Sequence, residues 1–365
     1  MSTATYVRPV GRLTRPPARI NASPDRVVRI GEREDLVFTA LELIQRHSDG
    51  WSDSRVISIA EARDLIAQQS PATDALLLAS DRFAAPRGAV AGLPLDRPRI
   101  MGIVNVTPDS FSDGGVHAAS AAAVAHAIRL VTDGADLLDI GGESTKPGAD
   151  PVPVDVELAR VLPVITGIRA RSRVPISIDT RKSEVMRQAV AAGADIVNDV
   201  SALTFDPAAL MTAVELQVPV VLMHAQGEPK TMQDAPRYHA VTLDVFDWLC
   251  QRIEDCVTAG LPRRLLIVDP GIGFGKTTGH NLELLAGLSL FHALGTPVLV
   301  GASRKRFIGE ITGVTVPAER VSGSIGVALA AAAQGAQILR VHDVAATRAA
   351  LDVWMAATTG TVATR

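Results

Sequence analysis

Aromatic residues are scarce in this chain of 365: Phe, Trp and Tyr together make up 4%, against 47% hydrophobic residues. A core of Val, Ile, Leu and Ala follows, which suits helices packed closely on a parallel sheet. Cysteine is almost missing. Cys250 and Cys256 fall in one predicted helix, an arrangement that suggests neither a disulfide framework nor a zinc site. The formal charge of −3 lacks the basic excess that holds nucleic acid. No apolar run is long enough to span a bilayer, and the polar start has no signal-type apolar region. The expectation is a soluble, cytoplasmic chain with no nucleic-acid or membrane partner. Its length allows one large domain or a domain plus an extension.

What is present is organised around Met101 to Gly115, a short apolar strand ending at Asn105 and a polar loop of Thr107, Asp109, Ser110 and Asp113. A helix predicted from Ala118 follows. Carboxylates, amides and hydroxyls in one loop suit a ligand or a hard metal ion, although Pro108-Asp109 and Asp113-Gly114 are also ordinary turn dipeptides.

Residues 1–97 read differently from the rest. Four prolines (Pro9, Pro16, Pro17, Pro24) break up the first segment, and helices are predicted over Val37–Arg46 and Ile57–Ile66. Ser58 and Glu61 form a candidate capping box for the second helix. This region is expected to be a mostly helical extension or small subdomain without catalytic clusters. From Pro98 a strand-loop-helix period recurs eight times. Strands are predicted at 101–104, 136–140, 175–178, 196–197, 219–223, 264–268, 297–300 and 337–341. Glycine closes four of the helices before the next strand, at Gly134, Gly193, Gly260 and Gly335, as a repeated C-terminal cap does. Eight units in about 260 residues match a (β/α)8 TIM barrel, residues 98–365. A doubly wound sheet is the structural alternative.

Barrel ligands meet the C-terminal ends of the strands, and all eight predicted ends carry polar or charged residues. Asp179, Asn198 and Asp269 supply carboxylates and an amide that suit a flat, nitrogen-rich heterocycle. Arg304, Lys305, Arg340 and His342, from the last two strands, suit with Asn105 an anion such as phosphate. Asn105 beside a diphosphate would offer Mg2+ an oxygen-rich, mostly non-protein shell. Gly271-Ile-Gly-Phe-Gly-Lys-Thr277 imitates a phosphate loop, but the spacing puts Pro270 where the first glycine belongs. The expected helix there starts only near Asn281. These glycines instead let backbone approach a ligand, with Phe274 over a flat ring and Lys276 near a negative or carbonyl group.

Asn105–Gly115 and Gly141–Ala149 together resemble the paired signatures of the dihydropteroate synthase family. Further matches are Ile178–Thr180, Asn198-Asp199, His224–Gln233, Asp269–Gly271, Phe274–Lys276, Ser303–Lys305 and Arg340–His342. The resemblance covers Pro98 to the C-terminus. It implies a TIM barrel, usually dimeric, that joins 7,8-dihydropterin-6-ylmethyl diphosphate to 4-aminobenzoate in folate biosynthesis. By resemblance, Asp179, Asn198, Asp269 and Lys305 bind the pterin. Asn105, Arg340 and His342 serve the diphosphate and Mg2+, Thr145 the pterin diphosphate and Ser303 the aminobenzoate. Asp179, Lys305, Arg340 and His342 are the expected catalytic groups, and sulfonamide-type inhibitors are expected ligands. Lys146 where arginine is frequent, Ala225 where methionine is common, and the extension depart from the family pattern. Another pterin-binding barrel and a non-catalytic pterin binder are the rival readings.

Overall fold

The computed structural model describes residues 4–13, 26–33, 36–106, 115–144, 150–227 and 232–361. Residues 107–114 and 145–149, which include Thr145 and Lys146, lie outside them. So do residues 228–231.

The extension is a correction to the predicted helices. Strands β1 (Ala4–Leu13), β2 (Val28–Arg29), β3 (Val37–Arg46) and β4 (Ser52–Ser58) form an antiparallel sheet with β3 at its centre. Two helices follow, α1 (Ile59–Ala67) and α2 (Thr73–Ala84). Val37–Arg46, expected as a helix, is therefore a strand. β1 pairs it from Ala4↔Arg46 to Leu13↔Val37, while β4 covers the other edge. Ladder bonds and burial of Phe38, Leu41 and Leu43 outweigh a helix propensity of a few tenths of a kcal/mol per residue. The second prediction holds in part: α1 begins at Ile59, Ile57 lies in β4, and Ser58 caps the helix by accepting the Glu61 N–H at 3.1 Å, while the Glu61 carboxylate takes Arg55 at 2.6 Å instead of closing a capping box.

Residues 98 onward form eight parallel strands: β7 (Arg99–Asn105), β8 (Leu137–Gly141), β9 (Ile176–Asp179), β10 (Ile196–Asp199), β11 (Val220–Met223), β12 (Leu266–Asp269), β13 (Leu299–Val300) and β14 (Ile338–Val341). They pair in the order β12-β11-β10-β9-β8-β7-β14-β13, and a parallel bridge from Val268 to Val298 brings the two ends together. The sheet thus curls into a nearly closed barrel. Helices α3 (Gly115–Thr132) to α11 (Val344–Thr359) surround it. Among the described residues no helix is long and apolar enough to cross a membrane.

The interior is layered. Met101, Leu137, Ile196, Val221, Ile267, Leu299 and Ile338 form one cluster at the lower end of the barrel, with Val90 and Leu95 packed into it. Val90 belongs to, and Leu95 directly follows, a small hairpin of β5 (Ala89–Val90) and β6 (Leu93–Pro94). Its Ala91-Gly92 turn has positive φ at both residues, the geometry that suits a two-residue hairpin. A strand repeats its facing every second residue, so the next inward positions are Ile103, Asp139, Asn198, Met223, Asp269, Gly301 and Arg340. A dry floor thus supports a polar layer. Outside, the extension keeps its own core around Leu76 and Phe83, touching the barrel at Ala293. Tyr6 donates to Asp247 at 2.8 Å across the same seam.

Candidate active site

Arg340 is the centre of the polar layer. Its Nε donates to Asp139 Oδ2 at 2.6 Å and its Nη2 to Asp179 Oδ2 at 2.8 Å. The sequence reading aimed it at an anion; here it is engaged by two carboxylates inside the barrel. Asn198 Nδ2 also donates to Asp139 Oδ2, at 3.1 Å. Burial pushes the Asp179 carboxyl up to about 7, opposed by Arg340 and reinforced by Asp139. Among the described residues Asp179 Oδ1 has no partner. Burial also raises Asp269 to about 6, offset by the Gly271 N–H that its Oδ1 accepts at 2.7 Å. Asp179, Asn198 and Asp269, predicted together, do converge on one floor.

The loop after β12 forms one wall. Gly271, Gly273 and Gly275 all have positive φ. A Cβ on Gly271 would lie 1.8 Å from the His224 carbonyl oxygen, and one on Gly275 2.4 Å from that of Gln226. The glycines therefore let backbone approach backbone, at least as much as a ligand. Lys276 is correspondingly turned inward. Its Nζ lies 2.9 Å from His224 Nδ1 and donates to the carbonyls of Phe274 (3.0 Å) and His224 (3.3 Å). Desolvation lowers this amine to about 7 and, with Lys276 adjacent, lowers His224 to about 2. The imidazole is neutral and faces the lysine amine through Nδ1. The carbonyl groups predicted for Lys276 are those of its own wall. Helix α8 (Thr278–Ala286) starts at once, capped by Thr277, rather than near Asn281. Phe274 carries the Lys305 ammonium 4.1 Å above its ring centroid, so both predicted residues meet at the rim.

The other side is anion-friendly. The Ser303 hydroxyl oxygen accepts the backbone N–H of His342 at 3.2 Å and lies 3.0 Å from its Nδ1. Burial, with Arg340 and Arg304 nearby, lowers His342 to about 3. The neutral ring therefore meets the Ser303 hydroxyl through Nδ1. Arg304 does not extend toward a ligand. It sits at φ 60° and grips Asp343 through both ends of its fork, at 3.0 and 2.5 Å. A left-handed non-glycine residue is unfavourable by about 1 kcal/mol or more, offset here by that pair and by the Ser324 hydroxyl on its N–H (2.9 Å). Asn105 ends β7 opposite Gly141, whose Cβ position would lie 3.8 Å from Asn105 Oδ1 and 3.5 Å from Asp179 Cβ.

Three buried acids have partners that the sequence reading did not assign. Glu143 takes Arg181 at 3.2 Å, Lys182 at 3.2 Å and the Val152 N–H at 2.9 Å, so it ties together the two sides of 145–149. Glu157 takes Lys182 at 2.5 Å. Asp139 serves Arg340 and Asn198. A signal existed for Asp139: a lone charge inside the apolar run Leu137–Ile140.

A floor of acceptors thus lies at the mouth of a (β/α)8 barrel, with Ser303 and His342 beside it, and comparison with known families gives the class of this barrel as a pterin-binding enzyme. The sequence pattern of the pterin-binding enzyme family matches residues 101–342. Dihydropteroate synthase of Escherichia coli K12 is 50% identical over 261 residues, covering 72% of this chain and 92% of that protein. Two crystal structures of Xanthomonas albilineans dihydropteroate synthase are similar, each covering 73% of this chain. One, with 4-aminobenzoic acid, is 57% identical with a TM-score of 0.69 over 96% of its chain. The other, with 7,8-dihydropteroate, is 54% identical with a TM-score of 0.66 over 95%. The chain belongs to the dihydropteroate synthase family.

Proposed function

We propose that the chain condenses 7,8-dihydropterin-6-ylmethyl diphosphate with 4-aminobenzoate, giving 7,8-dihydropteroate and diphosphate. One observation carries this reading: an acceptor floor of Asp179, Asn198 and Asp269 lies beside Ser303 and His342, within one barrel mouth. The floor suits the ring N–H and amino donors of a pterin. The arylamine is a weak nucleophile, so departure of the leaving group leads. The C–O bond breaks, diphosphate takes the electron pair, and the amine nitrogen attacks the carbon and then releases a proton. Asp179 balances positive charge on the pterin, and His342 with Lys305 steadies the departing anion. Arg340 holds Asp179 in place for this step. Phe274 and Lys305 frame the ring from the rim.

Mg2+ is part of the proposal. Among the described residues no three His, Cys, Asp or Glu side chains converge on a metal site. Asn105 is the donor at the mouth, which fits an ion taking most of its oxygens from diphosphate and water. When bound, it would neutralise leaving-group charge. Thr145 is proposed to reach the pterin diphosphate, and sulfonamide-type compounds to compete with 4-aminobenzoate. We also propose a cytoplasmic homodimer, with residues 1–97 as an appended subdomain and 98–365 as the catalytic domain.

The test is diphosphate release by purified protein with both substrates and Mg2+, omitting each in turn. Release that needs all three, with dihydropteroate formed, is expected. Pterin binding without release under any condition would refute the reading in favour of a binder or a different pterin enzyme.

A further inference from the structure

We infer that Asp139 is a positioning residue that sets substrate specificity by fixing which way the Asn198 amide faces; this rests on the pterin reading above. Asp139 is fully buried, on the inward face of β8, two residues above Leu137 of the dry floor. Its Oδ2 takes the Arg340 Nε at 2.6 Å and the Asn198 Nδ2 at 3.1 Å. An amide has a donor end and an acceptor end of nearly equal shape, so only its partner decides its orientation. A carboxylate paired with a guanidinium offers acceptors only. Asn198 must therefore turn its NH2 to Asp139, and its oxygen is left for the pocket.

That choice completes a pattern. Asp269 Oδ1 is occupied by the Gly271 N–H and Asp179 Oδ2 by Arg340. Asp179 Oδ1 has no donor among the described residues, and none of the hydrogen bonds above reaches Asp269 Oδ2 or the Asn198 oxygen. With both carboxyls ionised all three are acceptors, so a floor built from them selects a ring edge made of N–H donors. With Asp139 replaced by a neutral amide, Asn198 could face either way, and the floor would present a mixed signal. Asp139 touches no ligand in this scheme. It acts through Asn198, and through Arg340 on Asp179.

The experiment measures binding of 6-hydroxymethyl-7,8-dihydropterin by calorimetry, steady-state KM for both substrates, and thermal unfolding. It compares the unsubstituted chain with Asp139→Asn, Asn198→Asp and the double exchange. Asp139→Asn should weaken pterin binding by about tenfold or more, in line with sites that lose a matched polar contact. KM for 4-aminobenzoate should stay within about twofold of the original. The double exchange restores a donor facing an acceptor across the pair, with an oxygen still toward the pocket. It should recover most of the lost affinity. Unchanged pterin affinity in Asp139→Asn, or a double exchange as weak as the two single losses combined, overturns the inference. Should Asp139→Asn not fold, the unsubstituted protein carries the test. A dihydropterin with methyl in place of its exocyclic amino group should then bind at least about tenfold more weakly, and equal binding overturns the acceptor floor. Failure of the unsubstituted chain to bind any dihydropterin would instead refute the functional reading.

Discussion

Replacing Arg340 by alanine would leave two buried carboxylates without their shared partner. Asp139 is fully buried and Asp179 nearly so, and the guanidinium lies 2.6 and 2.8 Å from them. Breaking a buried pair by removing one partner costs about 3–5 kcal/mol. At roughly 2–4 °C per kcal/mol for a domain of this size, the unfolding midpoint should fall by roughly 6–20 °C near neutral pH. The loss should also depend on pH. Burial, opposed by Arg340, already holds the folded Asp179 at about 7, against about 3.9 in an unfolded chain. Between those values the folded chain binds the extra proton, so this group's contribution to stability falls as pH rises. Without Arg340 the folded value moves higher and the window extends above 7. The deficit of Arg340→Ala relative to the unsubstituted chain should therefore be smaller at pH 5.5 and larger at pH 8.5. Thermal or urea unfolding at both pH values measures it. An equal deficit at the two pH values, or one below about 1 kcal/mol at pH 8.5, would refute the ion-pair reasoning.

Gly271→Ala should be among the most damaging single substitutions, because its Cβ would meet the His224 carbonyl oxygen at 1.8 Å with φ at +70°. A loss on the order of 3 kcal/mol or more, seen as insoluble protein or a sharply lowered unfolding midpoint, is expected; near-normal stability and pterin binding would mean the wall does not depend on that approach. Leu76→Ala, in the core of the extension, should cost about 2–5 kcal/mol while leaving KM for both substrates unchanged. Calorimetry would then read the domain division: an early, separate transition marks the extension as its own cooperative unit, and a single shifted transition marks one unit with the barrel.

The barrel was legible because its signals are local and repeated. Each short apolar run closed by a polar residue marks a strand end, and β11 (Val220–Met223) and β14 (Ile338–Val341) fall within the spans predicted at 219–223 and 337–341. The strand β3 was not legible. Val37-Phe-Thr-Ala-Leu-Glu-Leu-Ile-Gln-Arg46 has apolar residues at both helical and strand spacings, and only pairing with segments on either side decides between them. Within the site, residue identity was readable and direction was not. Arg340, Lys276 and Arg304 are all cations at strand or loop ends, yet each is taken by groups of its own chain. Their partners Asp139, His224 and Asp343 lie 201, 52 and 39 positions away in the chain. Such distances carry no periodic signal. What the sequence does carry is the isolated charge. Asp139 stands between Leu138 and Ile140 in a strand buried on both faces, and an unpaired carboxylate there would be prohibitively costly. A buried cation must therefore face it from elsewhere in the barrel. In the folded chain that cation is Arg340, two residues beyond Ile338 as Asp139 is two residues beyond Leu137, so parity along the strands applies to charged as well as apolar residues.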